Sequence, residues 1–410
     1  MLPAPHFAWP FFADHHRDLA RAARHWSKQH LASTPFPSPH ATDALEAHCR
    51  ALVRQLGAAG WLRWCVPISP SGASDPAARL DTRALCLLRE TFAWHSALAD
   101  FAFALQGLGA GALSLFGDER QKARYLPDTA EGRQIAAFAL SEPQAGSDVA
   151  ALSCRATRLE HGGWQLDGEK TWISNGGIAD YYVVFARSEP AATRSSQGIS
   201  AFIVDAATPG LKVAERLTTL SPHPLARLEF TACRIPANQQ LGSSGQGFKI
   251  AMSTLDVFRI SVAAAALGLA RRAVDEALHH VRQRRLFGQQ LADLQLTQGR
   301  IADMVTALDA ATLLTYRAAW QRDQTATTPL PATGSDELTC SAAMAKLFAT
   351  EEAQRIIDSA VQLLGARGLR QGEIVESLYR DIRALRIYEG ASEIQKLVIA
   401  RTTLKRPAGL

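Results

Sequence analysis

Near its C-terminus the chain reads Arg386-Ile387-Tyr388-Glu389-Gly390-Ala391-Ser392-Glu393-Ile394-Gln395, a carboxylate followed at once by glycine. The pair falls where one helical pattern stops and another begins, which places the carboxylate on a turn rather than on a helix face. Such a carboxylate suits a general base, because desolvation would raise its pKa toward neutrality. On the residues alone, the alternative is a solvated loop glutamate.

Four other stretches carry possible chemistry. Phe138-Ala139-Leu140-Ser141-Glu142-Pro143-Gln144-Ala145-Gly146-Ser147-Asp148 concentrates Ser, Gly and Pro. Its free N–H groups and hydroxyls can hold a heterocycle edge or a phosphate, or it is a loop and nothing more. In Gly168-Glu169-Lys170-Thr171-Trp172-Ile173-Ser174-Asn175-Gly176, Trp172 and Ser174 stand two apart and so share one face of a strand. A strand Trp more commonly covers core. Arg284-Arg285-Leu286-Phe287-Gly288, with Gln295 beyond it, puts positive charge at a helix end, where it can simply cap the dipole. The fourth is Gln362-Leu363-Leu364-Gly365-Ala366-Arg367-Gly368.

These residues need elements to hold them. From about Phe7 to Asp128 the apolar spacing is helical, as at Leu45, Leu52, Val53 and Leu56, with a loop expected over Pro67 to Pro76. Gln106-Gly107-Leu108-Gly109-Ala110-Gly111 superficially matches a dinucleotide fingerprint. It lacks the preceding strand and the later acidic residue, so close helix packing is expected there. Between about Gly132 and Gly242 the pattern changes to short β-rich runs. Trp164 to Ile173 reads as a hairpin closed at Asp167-Gly168, and strands follow at Tyr181–Phe185, Ile199–Val204, Leu211–Val213 and Leu228–Phe230. After Gly247 the pattern is helical again, with an apolar stripe through Leu267, Ala270, Val274, Leu278 and Val281, a second through Ile301, Met304 and Leu308, and a loop over Thr325 to Ser335. The fold class is α+β, mostly α: an N-terminal helical domain over 1–132, a middle β-barrel or sandwich over 133–243, and a C-terminal helical bundle over 244–410.

The chain's 410 residues, 47% of them hydrophobic, suit a soluble protein of two or three domains. A balance of 44 basic against 39 acidic side chains mildly favours phosphorylated or acidic partners. No Lys/Arg block dominates a segment, so nucleic acid is not an expected partner. The six cysteines, Cys49, Cys65, Cys86, Cys154, Cys233 and Cys340, are scattered without metal-ligand spacing, which points to reduced thiols and no metal site. Met1 to Pro10 shows no signal pattern, and the apolar run Ile260 to Ala270 is too short to span a bilayer. A cytoplasmic protein with no membrane partner is expected.

Taken in order, the blocks Ser141-Glu142-Pro143, Gly168 to Asn175, Arg284 to Gly288 and Tyr388-Glu389-Gly390 resemble the acyl-CoA dehydrogenase family, and the resemblance runs over nearly the whole chain. It implies an FAD flavoprotein whose C-terminal bundle has four helices and which forms α,β-unsaturated thioesters from an acyl-CoA. Glu389 would be the base, and an electron-transfer flavoprotein or similar acceptor would take the electrons. Phe138, Leu140, Ser141, Ser147, Trp172 and Ser174 would line the flavin, with Ser147 also near the CoA diphosphate. Arg284, Phe287, Gln295, Gln362 and Gly365 would reach a flavin held mainly by a neighbouring subunit, making the assembly a homo-oligomer, dimer or tetramer. Ala391 and Glu393 would complete the cofactor site, and Asp256, Arg259, Tyr388 and Gly390 the substrate site. Buried Arg–Asp structural pairs are about as common as substrate contacts for such residues.

The chain departs from the family at Ala366, where a second glycine is usual, and at Ala391, where a threonine is usual. The family's alternative base position, just before Arg259, holds Phe258, which cannot accept a proton. Bulk at Phe101, Phe103 and Phe258 points to a short or unusual acyl group. An acyl-CoA oxidase, a dehydrogenase of carrier-bound acyl groups and, remotely, a nucleic-acid-associated flavoprotein relative remain as alternatives.

Overall fold

The computed structural model describes residues 5–31, 42–68, 80–189, 195–325 and 332–405. Helices come first: α1 (Asp14–His30), α2 (Thr42–Ala58), α3 (Thr82–His95), α4 (Ala97–Phe116) and α5 (Glu119–Ala130). Strands follow as β1 (Ala136–Ala139), β2 (Arg155–Arg158), β3 (Trp164–Ser174), β4 (Tyr181–Arg187), β5 (Ile199–Asp205), β6 (Leu211–Arg216), β7 (Leu225–Ile235) and β8 (Gln240–Leu241). The chain then returns to helix with α6 (Gly247–Gln283), a ribbon of β9 (Arg285–Leu286) and β10 (Gln289–Gln290), and α7 (Gln295–Thr325), α8 (Ala332–Leu364), α9 (Ile374–Leu385) and α10 (Ser392–Leu404). The expected loop Thr325 to Ser335 is therefore helical at both ends. Of the expected loop Pro67 to Pro76, all but Pro67 and Ile68 lie outside the described residues.

The chain folds as two compact units. One comprises Pro37–Leu80 and Phe101–Asp256. Its eight strands form one sheet in the order β6-β7-β3-β2-β4-β5-β8, with β1 parallel to β4. Tyr181 to Ala186 of β4 are all buried, as a strand covered on both faces requires. The Asp167-Gly168 pair does not close a hairpin. It is a bulge inside the continuous strand β3, where pairing with β7 shifts register between Leu166 and Gly168. Gly168 has φ +138°, a Cβ there would lie 2.8 Å from the Cys154 Cα, and the Asp167 carboxylate accepts the Ala232 N–H at 2.6 Å. Asp-Gly serves a tight turn and a bulge equally well, and the long partner strand β7 selects the bulge. The glycine-rich stretch of α4 packs closely, as expected: a Cβ on Gly109 would come within 2.6 Å of the Ala136 backbone. Gln106 beside it accepts the Ala136 N–H at 3.0 Å and donates to the Gln134 carbonyl at 2.8 Å.

The other unit comprises Met1–Phe36, Asp81–Asp100 and Val257–Leu410. In it α8 packs against α7, α9 and α10, and α3 against α1 and α7. The α9 helix buries Val375, Leu378, Ile382 and Leu385, the three-and-four spacing of a one-sided apolar stripe, each such side chain contributing roughly 1.5–3 kcal/mol. Gly268 of α6 sits against α3, where a Cβ would meet the Glu90 carbonyl oxygen at 2.3 Å. The helix carrying Ile260–Ala270 is 37 residues long, so the sequence argument from shortness fails. Its apolar window, like that of α4, is mostly buried inside the protein, as in a core helix. All six cysteines are buried thiols, and none is in a disulfide.

Candidate active site

The turn between α9 and α10 is built around a strained residue. Glu389 has φ +53°, in the left-handed region that costs a residue with a side chain roughly 1–2 kcal/mol. Gly390 follows at φ +96°. Strain of this kind persists only where surrounding contacts over-determine it, and here they do. The Arg259 Nε of α6 donates to the Glu389 carbonyl at 3.1 Å, while the Gly390 carbonyl accepts from Lys346 Nζ of α8 at 2.8 Å and from Gln395 Nε2 of α10 at 2.9 Å. Glu351 of α8 accepts from Arg386 Nε at 2.9 Å and from the Ser392 hydroxyl at 2.5 Å, which ties the two sides of the turn together.

This scaffold leaves the Glu389 side chain unspent. Its Oε2 is shielded from solvent and has no hydrogen-bond partner among the described residues. Burial raises its pKa above the ordinary carboxylate value, against the pull of Arg89, Lys346 and Arg259 and with the help of Asp100. Arg89, 2% exposed, is engaged at all three nitrogens: Nε and one Nη donate to Asp100 at 2.9 and 2.8 Å, and the other Nη to the Ser261 hydroxyl at 2.9 Å. The Asp100 carboxylate keeps this guanidinium charged despite its burial. The Tyr388 phenol lies within the electrostatic reach of Arg89, and burial pushes its pKa far above the usual value. Burial lowers Lys346 to about 8, partly countered by Glu389. A desolvated carboxylate with one bare oxygen, among cations committed elsewhere, can abstract a proton from a weak carbon acid.

Arg89, Asp100, Ser261, Lys346 and Glu351 were not among the sequence candidates. Their signal was available, since Arg89 and Asp100 interrupt apolar helical runs and Lys346 lies in the run Ala342–Ala349, and a buried polar residue is more informative than a buried apolar one. Of the expected substrate residues, Arg259 is buried and holds the turn, Tyr388 and Asp256 are half-buried, and Gly390 has its carbonyl occupied. Ala391 is the N-cap of α10 and offers no side-chain cap, and Glu393 is exposed in the first turn. Phe258 is buried in α6 just before Arg259.

In the sheet unit, Phe138 lies on β1 rather than in a loop, half-buried against Phe185 at 4.8 Å between ring centroids. Leu140 is buried, Ser141 half-buried and Ser147 exposed. The segment is pinned from below by buried Lys170, which donates to the Leu140 carbonyl at 3.0 Å and to Glu142 at 2.7 Å, and by the Ser141 carbonyl, which accepts the Thr171 N–H at 3.0 Å. Burial opposes ionisation of Glu142, yet Lys170 and the N–H groups of Ser153 and Cys154 hold its carboxyl below the usual range. β3 has a second register shift between Lys170 and Ile173. There Trp172 adopts φ +58° and is 60% exposed, while the following Ile173 is buried and Ser174 half-buried.

In the helical unit, Phe287 occupies the β9–β10 turn at φ +50° and is 84% exposed. Arg284, Gln295, Gln362 and Gly365 are also exposed. Trp172, Phe287 and Glu389 are thus three large residues held in the left-handed region, each of them singled out by the sequence. The His15, His16 and Asp81 cluster has metal-ligand residue types, with ligand atoms within 4.8 Å of one another. The His16 Nδ1 accepts the Ala13 N–H at 3.1 Å, however, so its Nε2 carries the proton and donates to Asp81 at 3.0 Å. Asp81 in turn caps α3 through the Ala84 N–H at 2.9 Å, which makes the cluster a capping network.

Comparison with known proteins bears on these placements. Models described as the N-terminal, middle and C-terminal domains of acyl-CoA dehydrogenase match residues 13–133, 137–233 and 245–404. The mitochondrial short-chain specific acyl-CoA dehydrogenase of Homo sapiens is 38% identical over 393 residues, covering 95% of this chain and 90% of its own length. Butyryl-CoA dehydrogenase from Megasphaera elsdenii is similar in structure, with TM-score 0.84 and 31% identity over 96% of this chain and 99% of that one. An acyl-CoA dehydrogenase complexed with FAD from Bacillus anthracis gives TM-score 0.85 and 28% identity, covering 96% of this chain and 67% of its own.

Proposed function

This chain belongs to the acyl-CoA dehydrogenase family, whose members are oxidoreductases that use FAD, and from that premise we propose that it converts a short-chain acyl-CoA to the trans-2-enoyl-CoA with Glu389 as base. The observation that carries this reading is the bare, desolvated Glu389 Oε2 on a turn fixed from three helices. Glu389 takes the proton next to the thioester carbonyl. Its backbone N–H, which donates to no described residue, is the expected partner of the thioester oxygen as negative charge develops there. The human short-chain relative and the butyryl-CoA dehydrogenase neighbour support a short acyl group.

The residues present fit FAD. Trp172 is 60% exposed at a strained position beside a register shift of β3, a costly placement that a flat ligand would use. Ser141 and Ser174 offer hydroxyls from segments locked by the Glu142–Lys170 pair and by β3. When bound, FAD supplies the hydride acceptor that side chains lack. Phe287, Arg284, Gln295, Gln362 and Gly365 are exposed, which fits their expected use on the cofactor of a second subunit in a homo-oligomer. Electrons would pass to an electron-transfer flavoprotein or similar acceptor.

The test is anaerobic titration of FAD-reconstituted protein with butyryl-CoA, octanoyl-CoA and a carrier-bound butyryl group. Butyryl-CoA is expected to bleach the flavin band most completely, and Glu389→Gln to bind FAD but stay oxidised. Bleaching by the carrier-bound group alone would overturn the CoA assignment, and no bleaching by any of the three would overturn the dehydrogenase reading.

A further inference from the structure

An arginine beside a catalytic carboxylate is ordinarily a threat to it. A guanidinium forms bidentate pairs with carboxylates readily, and a paired carboxylate is a poor base. Arg89 is buried with Glu389 and Tyr388 within its electrostatic reach, yet it does not pair with Glu389. The reason lies in where its nitrogens go: two to Asp100 at 2.9 and 2.8 Å and the third to Ser261 at 2.9 Å, with Asp100 itself 5% exposed. We infer that Asp100 is a positioning residue of the reaction, whose carboxylate occupies Arg89 so that the guanidinium cannot close onto Glu389 and one Glu389 oxygen stays bare. The inference rests on Glu389 being the base.

The geometry makes the device specific. Asp100 stands at the start of α4, eleven residues after Arg89, beyond the extended Ser96 that separates α3 from α4, so the break between the helices brings the two side chains together. Ser261, two residues after Arg259 on α6, takes the remaining nitrogen. The charges acting on Glu389 are Arg89 from α3, Asp100 from α4, Arg259 from α6 and Lys346 from α8, with the Tyr388 phenol on its own turn. Arg259 Nε and Lys346 Nζ are committed to the backbone carbonyls of residues 389 and 390, and Lys346 also feels Glu351 and Glu393. Among these groups Asp100 is the anion that compensates Arg89, the cation with the largest pull on the base. Removing its charge leaves Arg89 uncompensated, and a nearby uncompensated cation favours ionised Glu389, which lowers its basicity.

The experiment measures the rate of anaerobic flavin reduction by butyryl-CoA against pH in the FAD-loaded full chain, for wild type, Asp100→Asn, Asp100→Glu, Arg89→Met, Ser261→Ala and Glu389→Gln. The acid limb is expected to move to lower pH by about one unit in Asp100→Asn, with a roughly tenfold lower plateau, since a neighbouring charge shifts a carboxylate by that order. Asp100→Glu should restore the wild-type limb, and Arg89→Met should move it the opposite way. A limb that stays in place in Asp100→Asn while only the melting temperature falls would overturn the inference and leave Asp100 a structural partner. If Asp100→Asn does not fold, Ser261→Ala decides: a smaller shift to lower pH supports the inference, and none overturns it. Loss of reduction in Glu389→Gln with an unmoved limb in Asp100→Asn sinks this inference alone, whereas wild-type reduction in Glu389→Gln sinks the assignment of the base as well.

Discussion

Glu90 and Glu389 are two glutamates of one helical unit, Glu90 buried and Glu389 half-buried with its Oε2 shielded from solvent, and they are handled in opposite ways. Glu90 accepts from Arg271 Nε at 2.5 Å and from the Tyr316 phenol at 2.5 Å, with His6 Nε2 at 3.6 Å. Burial works against its charge, yet Arg271 and His6 hold its carboxyl far below the usual range. Around Glu389 the donors go elsewhere, Arg259 and Lys346 to backbone carbonyls and Arg89 to Asp100 and Ser261, and the side-chain oxygen Oε2 has no partner among the described residues. Burial without pairing raises its pKa. A buried carboxylate given every partner is a structural anchor, while one whose neighbours are all spent elsewhere is kept as a base.

The largest effect that would sharpen this contrast comes from Glu389→Gln. Flavin reduction by butyryl-CoA should fall by about 10²–10⁴-fold, the usual contribution of a general base. Stability should move the other way. Because the native pKa of Glu389 lies above its unfolded value, it contributes a penalty that grows as pH rises from about 4.5 through the native pKa. The variant should therefore melt above wild type at about pH 8 and lose that advantage near pH 4. A melting temperature lowered at both pH values would break the comparison.

Glu90→Gln is expected to do the reverse. Breaking a buried pair typically costs about 3–5 kcal/mol, readable as a drop in denaturant midpoint, with the activity of the folded fraction near wild type. The Glu90 carboxyl has a native pKa below its unfolded value, so its stabilisation is present above about pH 4.5 and is lost as pH falls through the native pKa. Acid destabilisation should be shallower in the variant, as pH-dependent thermal scans would show. Lys346→Met removes a cation that acts on Glu389 and the donor to the Gly390 carbonyl. The acid limb of turnover should move to higher pH, and an unmoved limb would mean that Lys346 serves the turn alone. The smallest effect belongs to Ala391→Thr, which adds an N-cap hydroxyl to α10 and should stabilise the protein by about 1 kcal/mol in chemical denaturation.

The two glutamates also differ in how legible they were. Glu389-Gly390 stood out because a carboxylate before glycine at a change of helical pattern is a local signal, and the structure places it on a turn at φ +53°. The surroundings that make it basic were not local. Ser261 lies 172 residues from Arg89, and Glu90 meets Arg271 and Tyr316 across 181 and 226 residues, so no window of sequence contains either network. Strands such as β4 and β5 and the apolar stripe of α6 were legible because periodicity is a property of adjacent residues. Asp167-Gly168 was misread as a turn for the same reason, since the choice between turn and bulge belongs to the partner strand β7. Trp172 was legible as a residue type, and the left-handed backbone that exposes its ring was not.

The central claim is that Glu389 is the base, and single-turnover anaerobic reduction by butyryl-CoA over about pH 5 to 9 tests it most directly. The predicted result is a wild-type rate that rises through one ionisation above the ordinary carboxylate range and is absent in FAD-loaded Glu389→Gln. Reduction of Glu389→Gln at the wild-type rate, with the same pH profile, would contradict the account.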